Sequence, residues 1–259
     1  MTQPITLYEL NSLVRNTLDS SLDETYWLQA ELSEARLASN GHFYVEFVQK
    51  NKQGTGLLAR AKGAIWSSTY QLLAPAFERT TGQSLRAGLA VSVMVSVSFH
   101  ELYGYTLVVN DIDPDYTLGD MARRRREILL RLEEEGILND NKELIMPPSL
   151  NRIAVISSAT AAGFGDFCHQ LWHNEHHLRF HLKLFPAIMQ GARVEESILQ
   201  ALENILSENK QWDVVVIIRG GGATSDLSDF DTYLLAAACA QFPLPILTGI
   251  GHERDETVL

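Results

Sequence analysis

The sequence predicts an α+β chain of two domains, a small closed β-barrel followed by a parallel α/β sheet. Three observations carry this. Between Trp27 and about Asp113 the apolar residues alternate or gather in β-branched and aromatic runs, the pattern of strands. After Asn151 short apolar runs alternate with helical patterns across short loops, the pattern of a parallel sheet. The chain has 259 residues, 46% hydrophobic and 20% charged, enough for two cores and too apolar for general disorder.

Residues 1–23 are read as an N-terminal helix. Leu7, Leu10, Leu13, Val14 and Leu18 recur at helical spacing, and Thr6 with Glu9 makes a capping-box pattern. Residues 24–115 hold the strand-like runs WLQAELSEARLA, GHFYVEFVQ, GLLARAKGAIW and LAVSVMVSVSFHELYGYTLVVNDI, with turns at SNG, NKQGTG and Tyr103-Gly104. The helical insert SSTYQLLAPAFERT separates the third run from the fourth. About five strands with one helix between the middle ones suit the oligonucleotide-binding (OB) barrel, although a five-stranded sandwich reads similarly. Residues 116–150 form a connector, with a helix expected over 116–137 and Gly136 as its stop. Within it Arg123–Arg126 is the one dense basic run of the sequence, either a solvated face offset by Glu127 and Glu133–Glu135 or a phosphate contact.

Residues 151–259 read as a Rossmann-like α/β domain. Strands are expected at Arg152–Ser157, Leu182–Pro186, Trp212–Arg219 and Pro245–Gly249, and helices at Phe164–Trp172, Arg193–Glu208 and Phe230–Gln241. The chain ends at Leu259, where a helix after the fourth strand is expected, so further elements of the sheet are expected beyond it.

The formal charge is −11, divided as −4, −1 and −6 over residues 1–115, 116–150 and 151–259. No segment is basic overall, so any nucleic-acid site has to be local, and the acidic remainder makes binding salt-sensitive. No apolar run approaches the ~18 residues of a membrane span, and MTQPITLYEL has neither a basic nor an apolar signal region. Two cysteines, Cys168 and Cys239, are no disulfide scaffold, and a reducing cytoplasm is the expected location.

Sites in parallel sheets lie at the carboxyl ends of the strands, and three such ends hold polar residues. The first is SSATAAGFGD (157–166), where Ser158 and the glycines would offer backbone amides to an anion. Asp166 is placed in the first helical turn, where complementing the helix dipole is explanation enough by position. The second is RGGGATSDLSDFD (219–231). Gly220, Gly221 and Gly222 allow close backbone approach, and Arg219 ending an apolar strand suits a bidentate phosphate contact. A structural turn with Arg219 paired to Asp226 or Asp229 is the competing account. The third is GIGHERD (249–255), where His252 and Asp255 would share one face of a helix beginning there, as an oriented proton-transfer pair or an exposed loop histidine. His169, His173 and His177, four apart, have metal-ligand spacing but no carboxylate–histidine motif around them.

With these loops in view the chain resembles the large subunit of bacterial exodeoxyribonuclease VII, over almost its whole length. The resemblance rests on WLQAELSEARLASNGHFYVEF, IAVISSATAAGFGDF, RGGG-x3-DL-x-x-F and GHE-x-D. It implies an exonuclease that degrades single-stranded DNA from either end to short oligonucleotides. Its catalytic positions fall on Asp166, Arg219, His252 and Asp255. It also implies a small helical partner subunit, bound through a C-terminal helical region that this chain lacks, so the chain alone is expected to be poorly active. The first loop departs from the family pattern TS-x-TGAA-x-x-D, and Ala159 and Ala161 imply a weaker phosphate contact there.

Arg219 and the amides of Gly220–Gly222 would then hold the phosphate, with His252 moving the proton and Asp255 orienting it. Asp166 and Asp255 would be the ligands of a Mg2+ ion if the reaction uses one, which arginine and histidine do not require. In the barrel Phe43, Tyr44, Trp66, Arg60 and Lys62 are the expected contacts to single-stranded DNA, with Phe99, Tyr103 and Tyr105 in the same aromatic stock. Two rival readings stay open, a non-catalytic single-strand-binding module and a small-molecule enzyme holding a nucleotide at the glycine loop.

Overall fold

The structure is a computed structural model that describes residues 4–51, 56–208, 211–219, 227–251 and 257–259. The chain forms two compact units, Met1–Asp120 and Met121–Leu259.

In the first unit, helix α1 (Leu7–Ser21) starts at the capping box read from sequence. The Glu9 N–H donates to Thr6 Oγ1 at 3.2 Å, and the Thr6 N–H donates to Glu9 Oε2 at 2.7 Å. Strands β1 (Thr25–Leu37), β2 (Phe43–Lys50), β3 (Leu57–Ile65), β4 (Ala90–His100) and β5 (Gly104–Asp113) close a barrel in the order β1-β2-β3-β5-β4, with helix α2 (Ser67–Thr81) between β3 and β4. Every pairing is antiparallel except β3 with β5. Period-two alternation sends Phe43, Val45 and Phe47 inward to meet Leu32, Ile65, Val91, Val93 and Val109. Each fully buried side chain of this kind contributes about 1.5–3 kcal/mol. Gly63 faces the same core, and a Cβ there would lie 2.4 Å from a Phe47 ring carbon. The apolar stripe of α1 is not buried as its spacing suggests. Leu7, Leu10 and Leu13 are exposed, and polar residues hold the helix to the barrel, Asn11 through the Glu101 carbonyl and Arg15 through the Glu101 carboxylate.

Helix α3 (Pro114–Glu134) starts two residues before the expected position, with proline at its first turn, where a missing N–H costs nothing. In the second unit, Leu132 of α3 packs against Ala236 and Ala237 of a later helix. The strands β6 (Arg152–Ser157), β7 (His181–Pro186), β8 (Val214–Ile218) and β9 (Ile246–Gly249) form one sheet, order β7-β6-β8-β9, all parallel. The helices are α4 (Ala162–Trp172), α5 (Val194–Ser207) and α6 (Tyr233–Ala240). Alternation divides the continuous apolar runs of β6 and β8 between two cores. Ile156, Val215 and Ile217 pack with Ile198 and Leu202 of α5 and Leu235 of α6. Ile153, Val155, Val214 and Val216 face the other way, toward Phe164, Phe167 and Leu171 of α4. Burial on both faces is what a doubly wound sheet requires. The helix expected over 230–241 is two elements, a 3₁₀ turn at Ser228–Phe230 and then α6, because Thr232 between them is extended.

Candidate functional site

Two regions carry the residues singled out from sequence. The first is the outer face of β1, β2 and β3. On β2, Tyr44 and Glu46 alternate with the core residues and point outward; on β3, Arg60 and Lys62 do the same. Register places Arg36 of β1 opposite Tyr44, and the Arg36 guanidinium carbon sits 5.5 Å above the tyrosine ring. His42 meets Tyr44 edge-on at 6.4 Å and Trp66 edge-on at 4.9 Å, and its Nδ1 accepts the Ser67 N–H at 3.0 Å. That bond leaves Nε2 as the protonated nitrogen of the neutral ring. Glu46 lies amid these groups, paired to Arg60 at 3.4 Å and accepting from Ser33 at 2.8 Å. The face is therefore a mixed aromatic and charged surface, suited to stacking unpaired bases beside a phosphate chain.

Phe43 is a correction. It is 4% exposed and stacked on Tyr70 at 4.6 Å inside the barrel, so it offers no face to a base. Its position on the inner side of the pleat, between Val45 and the β1–β2 turn, dictates this. Arg36 and His42 were missed by the sequence reading. Their membership of the cluster depends on the β1–β2 register, which no local pattern reports.

The second region is the carboxyl edge of the parallel sheet. The chain runs from β6 to β7 on one side and then crosses to β8 on the other, so the strand order reverses between β6 and β8. Open α/β sheets bind ligands at such a switch point. Ser157 Oγ, at the end of β6, donates to the Ile218 carbonyl at 2.7 Å, and the Arg219 N–H donates to the Gly249 carbonyl at 3.1 Å. The three loops read from sequence thus leave neighbouring strand ends on one edge. Arg219 is 7% exposed, with its guanidinium carbon 5.9 Å from the ring of the fully buried Phe230. Ser158 closes the first loop on itself. Its hydroxyl lies 3.2 Å from that of Thr160, and its carbonyl accepts the Ala161 N–H at 3.0 Å. Ala161 caps α4 without a side-chain bond.

Asp166 stands one turn deeper than expected. Helix α4 begins at Ala162 and its first turn holds no acidic residue, so Asp166 is an exposed group of the second turn, where the dipole effect has largely faded. Gly220, Gly221, Gly222, His252 and Asp255 lie outside the described residues. The histidine series does not form a metal site among the described residues. His169 and His173 stack at 4.2 Å, but the helix ends at Trp172 and His177 has a left-handed φ of 50°. Of the basic run on α3, Arg123 pairs with Glu127 at 2.7 Å and Arg125 with Asp231 at 2.9 Å, a largely compensated face.

The chain thus pairs a closed five-stranded barrel, with one helix between its third and fourth strands, with a doubly wound parallel sheet. Residues 5–113 match the family model described as OB-fold nucleic acid binding domain, and residues 137–259 match that of exonuclease VII, large subunit. The chain is similar to exonuclease VII large subunits, by the family model over residues 137–259. It is 34% identical over 99% of its length to the exodeoxyribonuclease 7 large subunit of Deinococcus radiodurans, covering 62% of that protein. Against the same-named protein of Pseudoalteromonas atlantica the identity is 30% over 98% of this chain and 53% of the relative. The chain thus spans between half and two thirds of the length of these relatives. Among solved structures, the yeast mitochondrial single-stranded DNA binding protein Rim1 aligns with 35% of this chain and 90% of its own, at 12% identity and a TM-score of 0.25. No helix among the described residues is long and apolar enough to cross a membrane.

Proposed function

We propose that this chain is the nucleolytic part of an enzyme that hydrolyses phosphodiester bonds of single-stranded DNA from either end, releasing oligonucleotides. The observation that supports the reading most is the meeting of three motif-bearing strand ends at one switch point, through the bonds from Ser157 to Ile218 and from Arg219 to Gly249. Arg219 at the end of β8 holds a scissile phosphate and offsets the charge that grows on its oxygens, with the amides of Gly220–Gly222 beside it. His252 takes a proton from water or gives one to the leaving oxygen, Asp255 orients its ring, and Asp166 positions the water. Arginine and histidine together supply charge and proton transfer. If a divalent ion such as Mg2+ takes part, Asp166 and Asp255 are the carboxylates to hold it.

The barrel supplies strand capture. Tyr44 and Trp66 offer faces to unpaired bases, and Arg36, Arg60 and Lys62 meet phosphates. Duplex DNA is a poor partner because its bases are already stacked. The whole enzyme includes a small helical subunit and works in the cytoplasm. The test is digestion of end-labelled single- and double-stranded DNA by the full-length protein with that subunit, with and without chelator. Short oligonucleotides from the single strand alone support the reading, and activity in chelator assigns the chemistry to the side chains. Tight binding of single-stranded DNA with no cleavage under either condition would leave the binding module as the correct account.

A further inference from the structure

The two motif segments of the sheet edge, one holding Gly220–Gly222 and the other His252 and Asp255, share anchors at both ends. At their start the Arg219 N–H donates to the Gly249 carbonyl at 3.1 Å. At their far end the Val258 N–H donates to Asp231 Oδ1 at 2.8 Å. The other oxygen of the same carboxylate, Oδ2, accepts two bonds from the Arg125 guanidinium, Nε at 3.1 Å and Nη2 at 2.9 Å. Asp231 therefore has both oxygens engaged, and its side chain is 10% exposed. One oxygen reaches the segment after the histidine motif, and the other reaches a helix 106 residues earlier in sequence. Packing reinforces the anchor. Phe230, next to Asp231, is fully buried, and Val258 lies against Leu132, Ala236 and Ala237.

We propose that Asp231, fixed by Arg125, is a positioning residue that ties the backbone at Val258 to helix α3 and to the end of the Ser228–Phe230 turn, and that the rate of hydrolysis depends on this tie. This rests on the hydrolytic reading above. Asp231 touches no substrate in this account. It acts by holding Val258 and Arg125 to the segment that follows β8. The charge of the carboxylate matters as well as its shape. An asparagine keeps one acceptor for Val258 but turns an N–H2 group toward the Arg125 guanidinium, or the reverse if it flips. The basic run of α3 thereby gains a specific use, since one of its arginines completes the tie.

The experiment takes the complete enzyme with Asp231→Asn, Arg125→Met, Arg125→Lys and the Asp231→Asn/Arg125→Met double variant, each checked for unchanged circular dichroism. A misplacement of about 1 Å costs on the order of 100-fold in rate, so kcat for single-stranded DNA is expected to fall about 10- to 100-fold in Asp231→Asn and Arg125→Met. The KM, set by the barrel, should stay within about twofold, because the substrate-capturing groups are untouched. The double variant should be no slower than the worse single one, and Arg125→Lys should recover most of the rate. Independently of activity, amide hydrogen exchange in the 259-residue chain should quicken in peptides from both 219–231 and 250–259 when either partner is lost. Wild-type kcat in Asp231→Asn, losses that multiply in the double variant, or exchange that quickens around residue 231 alone would overturn the proposal. If Asp231→Asn does not fold, Arg125→Met carries the same comparison. If the wild-type enzyme cleaves nothing, the hydrolytic reading fails, and the exchange measurement still decides whether the two segments are tied.

Discussion

The barrel and the parallel-sheet unit place their chemistry-bearing residues in different kinds of position. On the barrel these residues stand on strand faces, where Tyr44, Glu46, Arg60 and Lys62 are held by a ladder that does not depend on their side chains. At the sheet edge they stand at the ends of strands, where Arg219 depends on a backbone bond to the neighbouring strand's Gly249 carbonyl. The difference predicts how each region fails. A barrel side chain can be removed and cost only its own contact. A sheet-edge residue is one part of an arrangement, and its loss removes the arrangement's effect.

The largest effect is expected at the sheet edge. Arg219→Ala and His252→Ala should each lower single-stranded DNA hydrolysis by the complete enzyme by about 10²–10⁴-fold. The folded content, read by circular dichroism, should be unchanged. Because Arg219 is buried, Arg219→Lys is the companion variant: it keeps the charge, loses the planar fork, and should remain strongly impaired. Full activity in Arg219→Lys and Arg219→Ala would remove the arginine from the mechanism.

The next test divides the barrel itself. Phe43→Ala should destabilise the first unit by about 3–5 kcal/mol in urea unfolding, as for a large aromatic removed from a core. The affinity of the folded fraction for single-stranded DNA should change little. Tyr44→Ala and Trp66→Ala should do the opposite, each weakening binding by about 1–3 kcal/mol in a fluorescence titration with little change in the unfolding midpoint. Equal behaviour of Phe43 and Tyr44 in both measurements would contradict the inside–outside assignment of β2.

The smallest effect concerns pH in the second unit. Burial pushes the Cys239 thiol up from the ordinary 9.0 to about 12. Between those values the unfolded chain has lost the thiol proton while the folded chain keeps it. Stability is therefore full below about pH 9 and declines as pH rises toward 12, by on the order of 1 kcal/mol near pH 10. The slope should be shallower in Cys239→Ala, measured by urea midpoints at pH 8, 9 and 10. Identical slopes in the two proteins would mean that the thiol takes no part.

Much of the architecture is legible from periodicity. The change from period two to alternating strand and helix near residue 115, the capping box at Thr6, and the apolar runs of β6 and β8 all follow from local rules. Even the correction at Phe43 had a signal. In FYVEFVQ the odd positions 43, 45 and 47 are all apolar, while Glu46 marks the even positions as the wet side. The first-turn placement of Asp166 failed for a different reason. Ala162 and Gly163 carry no helix-start signal, so the boundary could not be read to within one turn.

The sequence by itself determined the two strand periods, the glycine and histidine motifs, and which residues can donate, accept or carry charge. These follow from the chemistry of each side chain and its nearest neighbours. Tertiary structure alone decided that Arg36 lies over Tyr44, that the chain reverses its strand order between β6 and β8, and that Arg125 reaches Asp231. Each of these joins residues brought together by strand register, strand order or helix packing, which are set by how whole elements fit together and leave no mark in any local stretch of sequence.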